Sequence, residues 1–411
     1  FNMLLQLFLK LYDNERLYIK WMDDIQQSQI ENGSISDINP PYYMIYYSDN
    51  MTWPGTYLFI GEMIYRQFGN VEPIKKHYPY MKKWLTHMQN NYMSSDYIMT
   101  KDKYGDWCVP PESKEMIHSQ DPARKTDGQL IATAYHYHLL QMMIRFAVLA
   151  DHKEDIQTYT NLAKNVRKAF NDKFYDPSVG QYGNYTVTSN LLPLAFDIVD
   201  KDQEERVFQN MIDKIIRNDK LHISTGVIGT QWLMRELTKR GCTDVAYTIA
   251  TQKSYPGWGY IVEQGATSIW ELWNGDTASP KMNSHNHVMA LGDLIVWMYE
   301  DIAGIKTHKT YPGFKRLWMK PNPTEDLTYT KAAHKTPYGW VKSDWKLDNG
   351  TFTWKITIPS NTRANILLPA ENVNDITESG KPVKEVEGLK YVRVEENRVN
   401  LEIGSGEYTF T

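Results

Sequence analysis

The sequence predicts a multidomain α + β protein, in which a helical α/α toroid precedes an antiparallel β-sandwich. Up to about residue 304, apolar residues recur at the three-to-four spacing of amphipathic helices. After Gly304 this period gives way to short alternating segments, separated by turn signals such as DNG, PSN and GSG. The 411 residues are enough for one large domain and a smaller one.

The helical part is predicted to consist of paired helices. They are Phe1–Leu11, Glu15–Ser28, Trp53–Phe68, Pro73–Tyr92, Gly128–Ala150, Glu154–Phe174, Thr188–Ile198, Glu204–Arg217, Ile228–Arg240, Asp244–Gln252 and His287–Ile302. Short turns alternate with long polar linkers, and such linkers in a compact domain are usually functional. The long linkers are Asn32–Thr52, Lys101–Thr126, Tyr175–Val187 and Gln252–Asn286. Because no strict repeat is present, this pairing favours a toroid over a solenoid.

The last hundred residues are predicted to form the sandwich. The expected strands are Arg316–Lys320, Gly339–Lys346, Thr351–Ile358, Arg363–Leu368, Val392–Glu395, Arg398–Ile403 and Glu407–Phe410. Chemically reactive residues do not cluster in this part, so we expect it to act as a packing domain.

Composition and charge argue against several classes of function. A net charge of −4 without a basic stripe argues against a nucleic-acid or anionic-membrane partner. Apolar runs stay below the ~18–20 residues of a membrane span. Cys108 and Cys242 cannot build a disulfide framework. The histidine pairs 136/138 and 285/287 are two residues apart and do not share a helix face, so we expect no metal site.

The pattern of the first residues predicts the continuation of a helix rather than a signal peptide. We therefore expect the chain to be a fragment of a longer protein. Its localisation stays open, periplasmic or extracellular if a signal peptide was lost and cytoplasmic otherwise. The oligomeric state also stays open.

One segment combines acids with aromatic residues. Trp258 to Asn274 reads WGYIVEQGATSIWELWN. It places Glu263 and Glu271 among the aromatic residues Trp258, Tyr260, Trp270 and Trp273. Aromatic faces stack on the apolar faces of sugars, and a nearby carboxylate can activate water or accept hydroxyl hydrogen bonds. The segment indicates a carbohydrate site, in which Glu263 either binds sugar or pairs with a buried arginine.

A second segment supplies a partner acid. The linker Tyr104 to Asp127 carries several carboxylates, which are surface charges in the simplest interpretation. Asp106 and Glu112 differ from the others because Trp107 and two prolines restrict the backbone around them. Glycoside hydrolysis needs two carboxylates, ~6.5–9.5 Å apart for inversion and ~5–5.5 Å for retention. The residues alone do not choose between these separations.

Several runs follow one another along the helical part: GDWCVPPE, TDGQLIATAYHYH, STGVIGTQWL, YPGWGYIVEQGATSIWELW and SHNHVMALGDLIVWMYEDIAGI. They resemble, in the same order, runs of bacterial α-L-rhamnosidases, glycoside hydrolase family 78. The runs GFKRLWMKPNP, YGWVKSDWK and GSGEYTFT resemble the C-terminal sandwich of the same family. The resemblance covers roughly residues 10–411. It implies an (α/α)6 barrel over residues 1–305, expected to lack its opening helix, and a sandwich over residues 306–411.

The resemblance also implies roles for individual residues. Glu112 corresponds to the general acid and Glu271 to the general base of an inverting exo-glycosidase that removes terminal α-L-rhamnose. Asp106 and Asp121 correspond to acids that bind sugar hydroxyls, and a negative neighbour of this kind would keep Glu112 protonated. His287 corresponds to a histidine that contacts the sugar or orients the base region. Trp107, Trp258 and Trp270 complete the expected substrate-binding set.

The expected partner is thus a rhamnose-containing oligosaccharide or glycoside, and the family requires no cofactor. Two alternatives stay open. One is another (α/α)6-barrel glycosidase, including a relative that acts on rhamnosyl-glucuronate. The other is a non-catalytic carbohydrate-binding relative with a degenerate site.

Overall fold

The computed structural model of the protein describes residues 12–42, 46–278, 284–287 and 291–411. The predicted helix Phe1–Leu11 lies outside these residues. Up to residue 302 the described elements are mainly helices, and from residue 305 they are strands and short turns. The predicted order of a helical domain followed by a β-sandwich is therefore confirmed.

Most helices begin and end within a few residues of their predicted bounds. They are α1 (Glu15–Ser28), α2 (Thr56–Phe68), α3 (Glu72–Tyr92), α4 (Gly128–Leu149), α5 (Lys153–Phe174), α6 (Val187–Ala195), α7 (Glu204–Asp213), α8 (Val227–Lys239), α9 (Thr243–Thr251), α10 (Trp258–Glu263) and α11 (Leu291–Trp297). The prediction of α7 was too long, because a π-helical turn replaces its end over Lys214–Asn218. Helix α10 lies inside a predicted linker, and His287 precedes the last helix instead of starting it.

Burial distinguishes inner from outer helices. Helix α4 has buried side chains on every face, so it must be enclosed by other helices. Helix α5 packs against α4 and buries one stripe, which includes Tyr159, Val166 and Phe170. Local sequence also fixes where α4 begins, since the Asp127 carboxylate accepts a hydrogen bond from the backbone N–H of Gln129.

The sandwich consists of two sheets. The strands are β3 (Ile305–Thr307), β4 (Arg316–Met319), β5 (Tyr329–Thr336), β6 (Gly339–Asp348), β7 (Thr351–Ile358), β8 (Arg363–Leu368), β9 (Thr377–Glu378), β10 (Lys381–Pro382), β11 (Lys390–Glu395), β12 (Arg398–Ile403) and β13 (Gly406–Phe410). A separate small hairpin pairs β1 (Tyr175–Asp176) with β2 (Gln181–Tyr182). One sheet has the order β10-β9-β13-β7-β6-β5 and the other β11-β12-β8-β4-β3. Neighbouring strands run antiparallel except β4 and β8, which are parallel.

The inner face of β6 attaches the sandwich to the helical part. The Trp345 indole N–H donates to the carbonyl oxygen of Ile302 at 2.9 Å, and the Ser343 hydroxyl donates to that of Ala303 at 2.6 Å. Both acceptors lie at the end of the π-helical turn Met298–Ile302 that follows α11, and all these side chains are buried. Within the described residues, no helix is long and apolar enough to cross a membrane.

Candidate active site

Asp106 belongs to the loop that carries Glu112, and its buried side chain lies against the first residues of α8. One carboxylate oxygen accepts hydrogen bonds from the Thr188 hydroxyl and the backbone N–H of Gly226, the latter at 2.9 Å. The other oxygen accepts from the backbone N–H groups of Ile228 at 2.9 Å and Gly229 at 3.1 Å. Burial raises the pKa of Asp106, while these bonds favour its charged form. Four donors occupy the acceptor sites of this carboxylate, so Asp106 caps the start of α8, and its contact with sugar hydroxyls stays a prediction.

A glycine lets the loop approach this helix end. A Cβ atom on Gly226 would lie 2.2 Å from the carbonyl oxygen of Asp106 and 2.3 Å from that of Trp107. The Trp107 carbonyl also accepts a hydrogen bond from the backbone N–H of Val227 at 2.7 Å. The next residue, Cys108, has a φ of 62°, a left-handed conformation that costs energy for a non-glycine residue. The loop backbone is therefore held in one place by contacts with α8.

Glu112 is exposed and is held by donors from its own loop. The Ser119 hydroxyl donates to its carboxylate at 2.8 Å and the backbone N–H of Gln120 at 3.0 Å, and the backbone N–H of Asp121 donates as well. Desolvation acts to raise the pKa of Glu112, but hydrogen bonds from its own backbone, from Ser119 and from these two N–H groups outweigh it and lower the pKa to about 2. The expectation that neighbouring acids keep Glu112 protonated is therefore wrong for this conformation.

Asp121 also has a local partner for its carboxylate. It caps the 3-10 turn Pro122–Arg124 by accepting a hydrogen bond from the backbone N–H of Ala123 at 2.8 Å. The guanidinium of Arg124 lies 3.8 Å from its other oxygen. Asp121 thus contacts Glu112 through its backbone N–H, whereas its carboxylate caps the following turn, Pro122–Arg124.

Glu271 is half-buried and lies where two chain segments pair. Its backbone N–H donates to the Ser284 carbonyl at 2.9 Å, and the Ser284 N–H donates back to the Glu271 carboxylate at 3.3 Å. The backbone N–H of His287 donates to the carbonyl of Ile269 at 2.8 Å, which holds the histidine beside the same segment. Burial lowers the pKa of His287, and the negative charge of Glu271 opposes this shift.

The pKa of the Cys108 thiol depends on acids from both loops. Burial raises the pKa of its thiol, and the negative charges of Glu271 and Asp106 raise it further. Cys108 belongs to the loop that carries Glu112, so the charge of Glu271 acts on a group of the other acid-bearing loop. Tyr255, from the linker that carries Glu271, contacts the loop of Glu112 directly, because its hydroxyl donates to the Pro111 carbonyl at 3.4 Å.

Asn274 joins the same loops by direct hydrogen bonds. Its buried side-chain amide donates to the carbonyl oxygens of Lys114 at 2.6 Å and Met116 at 2.8 Å. The Thr277 hydroxyl donates to the Lys114 carbonyl as well. We did not single out Asn274 or Tyr255 from the sequence. Both lie in or beside the tryptophan-rich segment, but their partners are more than 140 residues away in the chain.

The predicted tryptophans differ in their surroundings. Trp258 and Trp270 are 4% and 7% exposed, and Trp258 packs edge-on against Trp273 with ring centroids 5.2 Å apart. Trp270 covers Gly275, where a Cβ atom would lie 2.6 Å from the indole. Both side chains therefore belong to the core in this structure.

Trp107 keeps a half-exposed face. Its ring lies 6.0 Å from Tyr104 and 4.9 Å from His118, and Tyr104 lies 4.5 Å from Trp53. All four rings are partly exposed, so they form an aromatic row along the loop that carries Glu112. Such a row offers faces on which sugar rings can stack.

Two further residues have structural partners. Exposed Glu263 forms an ion pair with Lys253 at 2.9 Å, so its partner is a surface lysine instead of the buried arginine considered from the sequence. Trp232 packs edge-on against Phe196 at 5.0 Å and His138 at 5.5 Å. Neither arrangement requires a sugar.

One cluster in the described part of the chain has ligand atoms close enough to hold a metal ion. Atoms of His152, Glu154 and Asp155 lie within 4.8 Å of one another at the start of α5. Asp155 already accepts hydrogen bonds from the ammonium of Lys82 at 2.6 Å and the hydroxyl of Tyr78 at 2.9 Å. A lysine ammonium neutralises the cluster, and these residues do not belong to either acid-bearing loop.

Comparison with known proteins identifies relatives of the whole chain. The model of the bacterial alpha-L-rhamnosidase 6 hairpin glycosidase domain matches residues 2–302, and that of the bacterial alpha-L-rhamnosidase C-terminal domain matches residues 304–382. An alpha-L-rhamnosidase of Formosa agariphila is 32% identical over 97% of this chain and 42% of its own length. One of Streptomyces avermitilis is 28% identical over 97% of this chain and 36% of its own length.

Solved structures agree with this relationship. The alpha-L-rhamnosidase from Dictyoglumus thermophilum has a TM-score of 0.88 and 31% identity, covering 100% of this chain and 45% of its own. The Streptomyces avermitilis alpha-L-rhamnosidase complexed with L-rhamnose has a TM-score of 0.88 and 26% identity, covering 100% of this chain and 37% of its own. The chain spans less than half the length of these relatives. With its helical domain matched almost throughout, the chain belongs to the family of bacterial alpha-L-rhamnosidases with a six-hairpin glycosidase domain.

Proposed function

We propose that this chain is the catalytic part of an inverting exo-glycosidase that hydrolyses terminal α-L-rhamnosides. Residues 1–305 are its catalytic domain and residues 306–411 its sandwich. Family membership supports the activity, and a structural relative is complexed with L-rhamnose. The observation that carries the proposal is the junction between the two acid-bearing loops. Asn274, three residues after Glu271, is bonded to Lys114, two residues after Glu112.

In the proposed mechanism Glu271 is the general base. Its carboxylate takes a proton from water as that water attacks the anomeric carbon, and His287 lies beside it. Glu112 is the general acid and gives its proton to the leaving glycosidic oxygen from the opposite face. Atoms and charge balance, because one water is added across the bond, Glu271 gains one proton and Glu112 loses one.

Glu112 must carry a proton for this step. In the described conformation its donors stabilise the carboxylate and lower the pKa to about 2. The mechanism therefore requires that the carboxyl group exchange the Ser119 and Gln120 donors for the glycosidic oxygen when substrate binds. Apo structures often lack the final catalytic hydrogen bonds, which form only in the complex.

The same pKa supports a second candidate function. A Glu112 that stays ionised could accept hydrogen bonds from sugar hydroxyls without protonating a leaving group, as in a non-catalytic carbohydrate-binding protein. This candidate predicts binding of L-rhamnose without hydrolysis of any α-L-rhamnoside.

The variant Glu271→Gln tests the proposal in the full-length protein. With 4-nitrophenyl α-L-rhamnopyranoside, kcat/KM should fall by about 10²–10⁴-fold, the contribution of a general base. The matched control Glu263→Gln, which changes an exposed acid of the same segment, should keep kcat/KM within about twofold of the unmutated protein. Circular dichroism should show that both variants are folded.

Two outcomes decide between the candidates. Proton NMR of the first rhamnose released should show the β-anomer, and initial release of the α-anomer would contradict inversion. Binding of L-rhamnose by the unmutated full-length protein without any turnover would replace the proposed enzyme by the binding protein.

A further inference from the structure

The outer face of the six-stranded sheet in the sandwich has an unusual composition. Along β5, β6 and β7, alternate side chains point away from the core and are exposed or partly exposed. We call this surface the lysine–tryptophan face and define it by Tyr329, Lys331, Lys335, Trp340, Lys342 and Lys355. Trp340 is 52% exposed and Tyr329 61% exposed, although large aromatic side chains usually bury most of their surface.

The strand register places two lysines around Trp340. Lys335 is its direct partner on β5, which corresponds to about 4.5–5.5 Å between Cβ atoms. Lys342 lies two residues further along β6, about 6.8 Å away on the same face. The direct partners of Lys342 are Ala333 and Thr357, so neither neighbouring strand places an acid opposite it.

These lysines are free to bind an external anion. Lys331, Lys335, Lys342 and Lys355 form no ion pair with any residue that the structure describes. Asp344 lies opposite Lys331 and Lys355 in the register, and it offsets charge at that end of the face. The positive charge beside Trp340 is therefore not compensated by a direct neighbour.

The face points away from the helical domain. Trp345 and Ser343 lie on the opposite side of β6, where they contact the end of the π-helical turn Met298–Ile302. A ligand on the face would thus leave the acid-bearing loops unobstructed.

We propose that the lysine–tryptophan face binds an anionic polysaccharide composed of uronic acids. Trp340 offers an exposed flat ring for the apolar side of one pyranose, and the ammonium groups of Lys335 and Lys342 pair with carboxylates of adjoining sugars. Its charge is too small for strong binding of a duplex nucleic acid, which requires many phosphate contacts. The proposal concerns the sandwich alone, so it can fail or hold independently of the proposed catalytic activity.

Affinity electrophoresis of the full-length protein tests the proposal. Polygalacturonate cast in the gel should retard the unmutated protein, whereas hydroxyethylcellulose, a neutral glucan, should not. Trp340→Ala should weaken the apparent affinity about tenfold, the cost of truncating an aromatic anchor. The double variant Lys335→Ser/Lys342→Ser should weaken it as well and reduce its dependence on salt.

Controls separate this surface from general effects. Tyr391→Ala removes an aromatic residue of similar exposure (46%) from the other sheet and should leave the retardation unchanged. Thermal melting followed by circular dichroism should be the same for all variants, since every substituted side chain is exposed. Unchanged retardation of Trp340→Ala would overturn the proposal. So would equal affinity for hydroxyethylcellulose, or for single-stranded poly(dT), which would show a surface that does not discriminate a uronate chain.

Discussion

At the scale of single residues, the protonation of Glu112 is governed by a few donors within nine residues of it. Its pKa of about 2 lies below the usual value of a glutamic acid, so the carboxylate form is favoured throughout the neutral range. The hydrogen bonds to this form stabilise the loop above about pH 4.3 and are lost as the pH falls through about 2. The general acid proposed for Glu112 needs the opposite bias, so these donors should set the pH profile of the proposed activity.

The variant Ser119→Ala should therefore shift the pH profile. Removal of the hydroxyl takes away a donor that stabilises the ionised form, so the pKa of Glu112 rises. Because the general acid must be protonated, the basic limb of kcat/KM should move to higher pH. The control Ser113→Ala removes a hydroxyl that bonds Glu115 instead and should leave this limb in place. Because kcat/KM reports pKa values of the free enzyme, a basic limb that does not move would show that Ser119 does not stabilise the ionised Glu112 there.

The sequence predicted part of this site. The positions of Glu112 and Glu271 in long linkers could be predicted, because the motifs that carry them are local. The burial of Asp106 could not, since its donors Gly226, Ile228 and Gly229 are 120 to 123 residues away in the chain. The lowered pKa of Glu112 also escaped prediction, because it depends on a loop conformation and not on the charge of neighbouring residues.

At the scale of elements, helix α8 and the loop of Glu112 depend on each other. The helix end supplies three N–H groups to Asp106, and the loop supplies a carboxylate and the Trp107 carbonyl in return. Helix bounds were predicted to within a few residues because apolar periodicity marks them. Helix α10 was missed because its six residues hold too few apolar positions to show a period.

Asp106→Ala should open the N-terminus of α8. The substitution leaves buried N–H groups unpaired, so the free energy of local opening should fall by about 2–4 kcal/mol. Native-state hydrogen exchange of the amides at the start of Val227–Lys239 measures this change. Asp127→Ala is the matched control, because it removes an exposed cap from α4 and should cost that helix about 1 kcal/mol. Equal exchange at α8 in the variant and the unmutated protein would contradict a capping role.

At the scale of the whole molecule, the sandwich and the helical domain share a buried boundary. Strand β3 begins at Ile305, so the first strand of the sandwich starts within the predicted range of the helical domain. Asp301, in the π-helical turn, forms an ion pair at 2.5 Å with Lys306, in strand β3, so the pair links the two parts. Buried contacts therefore bridge the two parts near residue 305.

Trp345→Ala should loosen both sides of this boundary. The variant removes a large buried side chain and the donor to the Ile302 carbonyl, at a cost of about 3–5 kcal/mol. Hydrogen–deuterium exchange should accelerate in β6 and also in the turn Met298–Ile302. Trp340→Ala, on the exposed face of the same strand, should change stability by less than about 0.5 kcal/mol. Acceleration confined to β6 would show that the two parts are energetically separate.

The Asn274 junction has a consequence for how the pocket changes shape. Opening one acid-bearing loop without the other breaks two buried amide hydrogen bonds, whereas moving both loops together keeps them. The joint movement is the cheaper one, because buried groups left unpaired carry the larger penalty. For the proposed enzyme, a joint movement would admit substrates of different bulk and keep the spacing between Glu112 and Glu271.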